Sequence, residues 1–333
     1  MLTSELDYEL PEALIAQKPA EPRDSSRLMV VDVREGSISH HSFAGLPRFL
    51  RPADALVLNE TKVLPARIVA HKPSGGEVEL LFLRDLGGPW EVLARPSKRL
   101  GPGLVLSVGG EEELEIVKSL GGGHWVVGGS DVQGMLERSG RMPLPPYIEP
   151  TADAETAYQT VYARNPGSAA APTAGFHFTG RVLGEAERAG AEIARLTLHI
   201  GAGTFAPIRS ANLEEHQMHA EYYSVPDHAA RTVTNAGRVV AAGTTVARAL
   251  ETWGASGERE GESRLFIYPG YEWRVLDALL TNFHLPRSTL LAMVMSFGGK
   301  GLVQEAYRVA VEERYRFYSF GDAMLLLGGG RNQ

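Results

Sequence analysis

Between Ala66 and Pro150 the chain changes texture, and this change constrains its fold more than any other feature. Gly and Pro punctuate the stretch at Gly75-Gly76, Gly87-Gly88-Pro89, Gly101-Pro102-Gly103, Gly109-Gly110 and Gly121–Gly123. Between them lie short β-rich runs: Glu77–Leu83, Trp90–Ala94, Leu104–Val108, Leu114–Val117 and Trp125–Val127. Turn residues at this spacing predict a small all-β barrel or sandwich, with a short helix over Val132–Arg138 at its end. The proline-rich run Met142–Ile148 closes the block as a rigid connector.

On both sides the pattern is different. Arg27–Asp32 and Ala55–Leu58 are short, nearly continuous apolar runs, as strands covered on both faces require. Leu14–Gln17 suits a helical turn after Pro11. Further on, helices are expected over Arg181–Arg188, Asp227–Gly237, Val246–Trp253 and Leu302–Glu313. Strands are expected over Glu192–His199, Arg238–Ala242 and Leu265–Tyr268, and Ala255–Ser263 reads as an exposed loop. Alternation of strands and helices implies a mixed, largely parallel sheet with flanking helices. The expected organisation is therefore an α/β domain of residues 1–65 and 151–333, with residues 66–150 inserted as a β-barrel domain.

Composition excludes some chemistry. The chain has no cysteine, so disulfides, zinc–thiolate sites, iron–sulfur clusters and thiol nucleophiles are ruled out. Residues Met1–Asp7 are polar and acidic, and the longest apolar runs, such as Leu290–Phe297, are far short of the roughly 20 residues that span a bilayer. Cytoplasmic residence is expected. A net charge of −7 argues against a polyanionic partner on average, although a local basic face suffices to bind one.

Five motifs fall where strands are expected to end, the usual place for ligands in open α/β sheets. Ala169–Phe178 carries small residues and His177, followed by Thr179 before a helix whose free N–H groups can receive an anion. His199–Phe205 contains Gly201 and Gly203 but not the third glycine of a dinucleotide fingerprint. His216–Glu221 invites a metal reading, but its spacing signals no fixed coordination geometry, and no metal is expected. Gly243–Glu251 places Thr244, Arg248 and Glu251 on one helix face. Ile267–Gly270 and Leu280–Pro286 complete the set. Four histidines (His177, His199, His219 and His284) thus share strand-end positions of one sheet and point to one cleft. No Gly-x-Ser-x-Gly elbow or Walker loop is present.

Long motifs in order along the chain carry a resemblance. They include Leu10–Ala16, Asn59–Arg67, Met142–Ile148, Tyr158–Tyr162, Ala171–Phe178, His199–Phe205, Met218–Glu221, Gly243–Glu251, Ile267–Gly270, Thr281–Pro286 and Tyr315–Ala323. The chain resembles the S-adenosylmethionine:tRNA ribosyltransferase-isomerases of queuosine biosynthesis. It departs at Val246-Ala247, where that family often has Ser-Val, and at Arg287, where it often has Glu.

The resemblance implies an enzyme whose partner is tRNA carrying 7-aminomethyl-7-deazaguanine at the wobble position. It transfers and isomerises the ribosyl part of S-adenosylmethionine onto the aminomethyl group, giving epoxyqueuosine-tRNA, adenine and methionine. S-adenosylmethionine is then a co-substrate, and neither a separate cofactor nor an obligate protein partner is expected. The sulfonium acidifies the adjacent 5′ carbon, adenine leaves best when protonated, and the amine must be neutral to attack; histidine suits all three proton tasks. His177 and His199 are the first candidates for them, His219 and His284 the next. Arg248, positioned by Glu251, is expected to anchor the methionine carboxylate, and Phe176, Phe205 and Tyr268 to flank adenine or the sulfonium. Asn59, Thr61, Arg67, Thr173, Gly175 and Asn282 are further expected substrate-binding residues. So are Gly201, Gly203, Thr204, Thr244 and Thr245. Lys62, Arg95, Lys98 and Arg99 are the expected tRNA-binding residues. Two other readings fit the residues: another S-adenosylmethionine-dependent nucleoside transferase, or a non-catalytic RNA-binding protein with the β block as binder.

Overall fold

The computed structural model describes residues 1–201 and 207–332, so Gly203, Thr204 and Phe205 lie outside the described residues. Among the described residues the strands are β1 (Arg27–Asp32), β2 (Ser37–Ser42), β3 (Asp54–Asn59), β4 (Thr61–Val63), β5 (Arg67–His71), β6 (Glu77–Asp85), β7 (Trp90–Arg95), β8 (Val105–Val108), β9 (Glu112–Gly121) and β10 (His124–Gly128). Then follow β11 (Asn165–Ser168), β12 (Glu192–Leu198), β13 (Glu221–Ser224), β14 (Arg238–Ala242), β15 (Glu260–Ser263), β16 (Ala278–Asn282) and β17 (Ala323–Leu327). The helices are α1 (Val132–Ser139), α2 (Ala152–Ala157), α3 (Gly180–Arg188), α4 (Asp227–Asn235), α5 (Thr244–Ser256), α6 (Thr289–Gly298) and α7 (Lys300–Glu312).

Nine strands form one sheet in the order β15-β13-β12-β3-β14-β16-β17-β1-β2. It is mixed, as expected, but less parallel than the helix–strand alternation implies. The β12–β3, β3–β14, β14–β16 and β17–β1 pairs are parallel, and the other four are antiparallel. Side chains of the central strands alternate between the two faces of the sheet with period two. Val57, Leu196, Ala241, Leu279 and Met324 pack on one face under α4–α7, while Leu56, Leu58, Val240, Leu280 and Leu325 pack on the other against α3 and the 3₁₀ segment Phe43–Phe49. Every residue of β3 is buried, which is why its interior, Ala55–Leu58, reads as an unbroken apolar run.

The strand-rich block closes into a six-stranded barrel, β10-β7-β6-β5-β8-β9, with α1 against its core. The chain enters and leaves it side by side, Arg67 and Arg141 exchanging backbone hydrogen bonds of 3.1 and 2.8 Å.

Several local expectations are corrected. Leu265–Tyr268 forms no strand; Ile267 packs into the main core as irregular chain, and the sheet edge is instead occupied by β15. The last four residues of the expected loop Ala255–Ser263 are therefore strand, with exposed Glu260 and Glu262 suited to a sheet edge. The turn after Pro11 is a 3₁₀ turn at Glu12–Leu14 rather than Leu14–Gln17.

Candidate active site

The sheet topology gathers the motifs. Because β3, β12, β14 and β16 are parallel, Asn59, Leu198–His199, Gly243 and Asn282 all lie at one edge. β17 runs antiparallel to β16, so Ala323 pairs with Asn282, and the start of β1 joins the same edge. β13 and β15 bring Glu221 and Ser263 beside each other there.

His177 follows a 3₁₀ turn at Thr173–Gly175 and is 3% exposed. Its Nδ1 is 2.8 Å from Ser26 Oγ, its Nε2 is 3.3 Å from the amide of Asn282, and its ring stacks on Phe43. Burial pushes its pKa down to about 4, so it is neutral near pH 7. His284, also buried, bonds Thr281 Oγ1 through Nε2 at 2.7 Å, and burial lowers its pKa to about 3. Phe176 packs between Tyr158 and Phe320, and Gly175 lies so close to Tyr162 that a Cβ would meet its hydroxyl at 2.2 Å. These residues of the first motif are packed, whereas Thr173 lines the site edge. The start of α3 is already occupied: Thr179 caps Val182 and donates to Asp24, so the anion site expected there is not offered.

His199 is half-buried and more open. Nδ1 is 2.8 Å from Thr61 Oγ1, the ring stacks on Tyr222, and Nε2 has no hydrogen-bond partner among the described residues. Burial again lowers its pKa. Asn59 sets this corner: its Oδ1 accepts from the N–H groups of Thr61 and Leu198, and its Nδ2 donates to Leu198 O and Thr245 Oγ1. Gly167 (φ +141°) passes so near His199 that a Cβ would lie 2.8 Å from Nε2. Sequence reasoning missed Gly167, Ser26 and Tyr222; a glycine in Pro166-Gly167-Ser168 was the one visible trace.

Arg248 is buried and held by Glu221 at 2.6 Å and by the carbonyls of His219 and Ser263. The expectation that Glu251 positions it is corrected. Glu251 is fully buried one turn along and accepts from the N–H groups of Arg274, Val275 and Leu276, and from Tyr271. Helical spacing puts Arg248 and Glu251 on one face, but each found a better partner off the helix. Glu221 also accepts from the N–H of Gly201, so both its oxygens are engaged within the protein. His219 is exposed, and its backbone rather than its ring is used. Tyr268 is half-buried against Phe266.

Two shallow recesses join these parts. One is lined by Thr173, Gly243, Thr244, Thr245, Asn282 and His284 among others; the next shares Thr244 and Thr245 and reaches Glu221 and Arg248. A much larger hollow, about 1050 Å³, lies beside them between the barrel and the connector Met142–Pro146. Arg67, Arg95 and Arg141 line it with Glu77 and Glu79, and Ala169, Ala170 and Pro207 form its wall toward the histidine edge. Arg67 is tied to Glu79 and Leu144 O, while Arg95 is exposed; Lys98 and Arg99 are exposed on the turn beyond, and Lys62 on β4.

A mixed α/β sheet whose strand-end loops collect histidines and glycines beside adjoining recesses is the arrangement of an enzyme site rather than of a plain binding module. The chain belongs to the queuosine biosynthesis protein family, whose model matches residues 3–326. It is 72% identical to the S-adenosylmethionine:tRNA ribosyltransferase-isomerase of Rubrobacter xylanophilus, covering 100% of this chain and 99% of that one. The enzyme of the same name from Moorella thermoacetica is 50% identical over 98% of this chain and 100% of its own. A crystal structure of S-adenosylmethionine tRNA ribosyltransferase from Thermotoga maritima is 37% identical, covers 97% of this chain and 100% of that one, and superposes with a TM-score of 0.57.

Proposed function

We infer that this chain is a tRNA ribosyltransferase-isomerase of queuosine biosynthesis. It transfers and isomerises the ribosyl moiety of S-adenosylmethionine onto 7-aminomethyl-7-deazaguanine in tRNA, releasing adenine and methionine. The observation that carries this is kinship over the whole chain at 72% identity, which leaves no segment for a different architecture.

The chemistry needs a proton carrier that substrate can reach. His199 fits best, its Nδ1 held by Thr61 and its Nε2 without a hydrogen-bond partner among the described residues; His177 and His284 support the edge from within as neutral rings. Residues 1–65 and 151–333 act as the catalytic domain, and the inserted residues 66–150 present Arg95, Lys98 and Arg99 to tRNA, with Lys62 at the junction. S-adenosylmethionine is the only small molecule the reaction requires, and the enzyme works in the cytoplasm as a monomer; among the described residues, no helix is long and apolar enough to cross a membrane.

The test is direct. Incubated with S-adenosylmethionine and tRNA carrying 7-aminomethyl-7-deazaguanine, the protein should release adenine and methionine in equal amounts and convert the base to epoxyqueuosine. Absence of adenine release overturns the assignment, and turnover on the free base without tRNA would assign a different transferase.

A further inference from the structure

Helix α5 starts without a cap. Gly243 (φ +110°) offers no side chain, no side chain caps the helix, and the first intrahelical bond is from Ala247 N–H to Gly243 O. The N–H groups of Thr244, Thr245 and Val246 consequently have no partner among the described residues. A 13-residue helix concentrates partial positive charge at such an end.

Two buried polar atoms line the adjoining recesses without a partner among the described residues: Oδ1 of Asn282, a residue 2% exposed, and Nε of Arg248, 4% exposed. The Asn282 amide is oriented by its neighbours. Its Nδ2 donates to Tyr318 O at 3.0 Å and to His177 Nε2 at 3.3 Å, and turning it over would set its oxygen against the Tyr318 carbonyl. Asn282 lines the recess formed with Gly243, Thr244 and Thr245, and Arg248 lines the adjoining recess that shares both threonines. Thr245 Oγ1 is already held by Asn59, so the backbone N–H groups are what that end has left to give.

A ligand satisfying all of these atoms carries an anionic group for the helix end and Arg248 Nε, and a hydrogen-bond donor for Asn282 Oδ1. An adenine edge also pairs a donor with an acceptor, but a neutral one. Three free N–H groups beside a guanidinium favour a carboxylate. Glu221 offsets the charge of Arg248, so the net attraction for an anion comes from the helix end, and Nε of Arg248 adds a directed hydrogen bond to it. We propose that the N-terminus of α5, Arg248 Nε and Asn282 Oδ1 form the subsite for the zwitterionic amino-acid end of S-adenosylmethionine, the carboxylate on the helix and the ammonium on Asn282. This deepens the function inferred above and rests on it.

The experiment measures adenine release at saturating modified tRNA. It compares the KM for S-adenosylmethionine with the inhibition constants of decarboxylated S-adenosylmethionine and 5′-methylthioadenosine, in the wild type and in Arg248→Lys, which keeps a cation for Glu221 but removes Nε. Loss of the carboxylate should weaken binding at least about tenfold, and Arg248→Lys should raise the KM about tenfold, as loss of a charged hydrogen bond does. Methylthioadenosine should bind the two proteins equally. Equal affinity of the wild type for the carboxylated and decarboxylated ligands overturns the subsite, and needs no variant to fold. An equal loss of methylthioadenosine affinity in Arg248→Lys overturns it too, placing adenine there. In either case adenine release by the wild type leaves the function standing, whereas its absence overturns both.

Discussion

The amide of Asn282 donates to Nε2 of His177 at 3.3 Å, and this one contact fixes the histidine as its Nδ1–H tautomer, donating to Ser26. A ring so enclosed cannot gain a proton cheaply. Its folded pKa of about 4 lies below the ordinary value of 6.5. Between those two values the unfolded chain binds more protons than the native one, so stability falls as pH drops through 6.5 and levels off only below about 4. At about 1.4 kcal/mol per pKa unit, His177 alone withdraws roughly 3 kcal/mol over that window. Urea denaturation at pH 7 and pH 5 should show a clear loss in the wild type and a smaller one in His177→Gln. Identical losses would mean that His177 is protonated in the native state.

Thr61 stands in a different relation to its histidine, because Nε2 of His199 has no hydrogen-bond partner among the described residues. A hydroxyl can donate to or accept from Nδ1, so it holds the ring through either tautomer as a proton moves at Nε2. Thr61→Val should lower kcat about 10- to 100-fold with little change in the KM for S-adenosylmethionine, and should move the acidic limb of the pH–rate profile. Thr61→Ser should restore most of the rate. A purely structural role predicts instead lost stability with an unchanged pH profile.

Much of the scaffold was legible because its strands are buried on both faces. Arg27–Asp32, Ala55–Leu58 and Arg238–Ala242 show as apolar runs, and the barrel shows through its glycine turns. The edges were not legible: β2 consists of Ser, Ile and His, and β15 of Glu, Gly and Ser, because exposed edge strands are held by backbone pairing that leaves no hydrophobic trace. For the candidate site, sequence located the strand-end motifs but not their partners. Spacing placed Arg248 near Glu251, while Glu221, 27 residues away in sequence, makes the pair. No local pattern distinguishes an enclosed histidine such as His177 from an open one such as His199, since the difference lies in what the rest of the chain packs around them.

That buried pair should be costly to break. With Arg248 and Glu221 both almost wholly enclosed, removing one carboxylate leaves an uncompensated guanidinium. Glu221→Ala should cost on the order of 3–5 kcal/mol in denaturant unfolding, and Glu221→Gln less, since the amide still accepts one bond. A loss under about 1 kcal/mol for Glu221→Ala would show that solvent reaches the pair.

Arg95 offers the clearest test of how an acidic chain holds a polyanion. It is exposed at the end of β7, lines the hollow of about 1050 Å³, and is followed on the next turn by exposed Lys98 and Arg99. Cross-strand from it lies Glu79, whose carboxylate is drawn off by Arg67 at 3.1 Å. Arg95 is thereby left as an available cation within a net charge of −7. Arg95→Glu should weaken tRNA binding about tenfold at moderate salt. It should also flatten the dependence of log affinity on log salt by about one unit, the share of one released counterion. The KM for S-adenosylmethionine at saturating tRNA should stay unchanged. A salt slope equal to that of the wild type would remove this face of the barrel from the tRNA footprint and leave Lys62, exposed on β4 just before the chain enters the barrel, as the cation to test next.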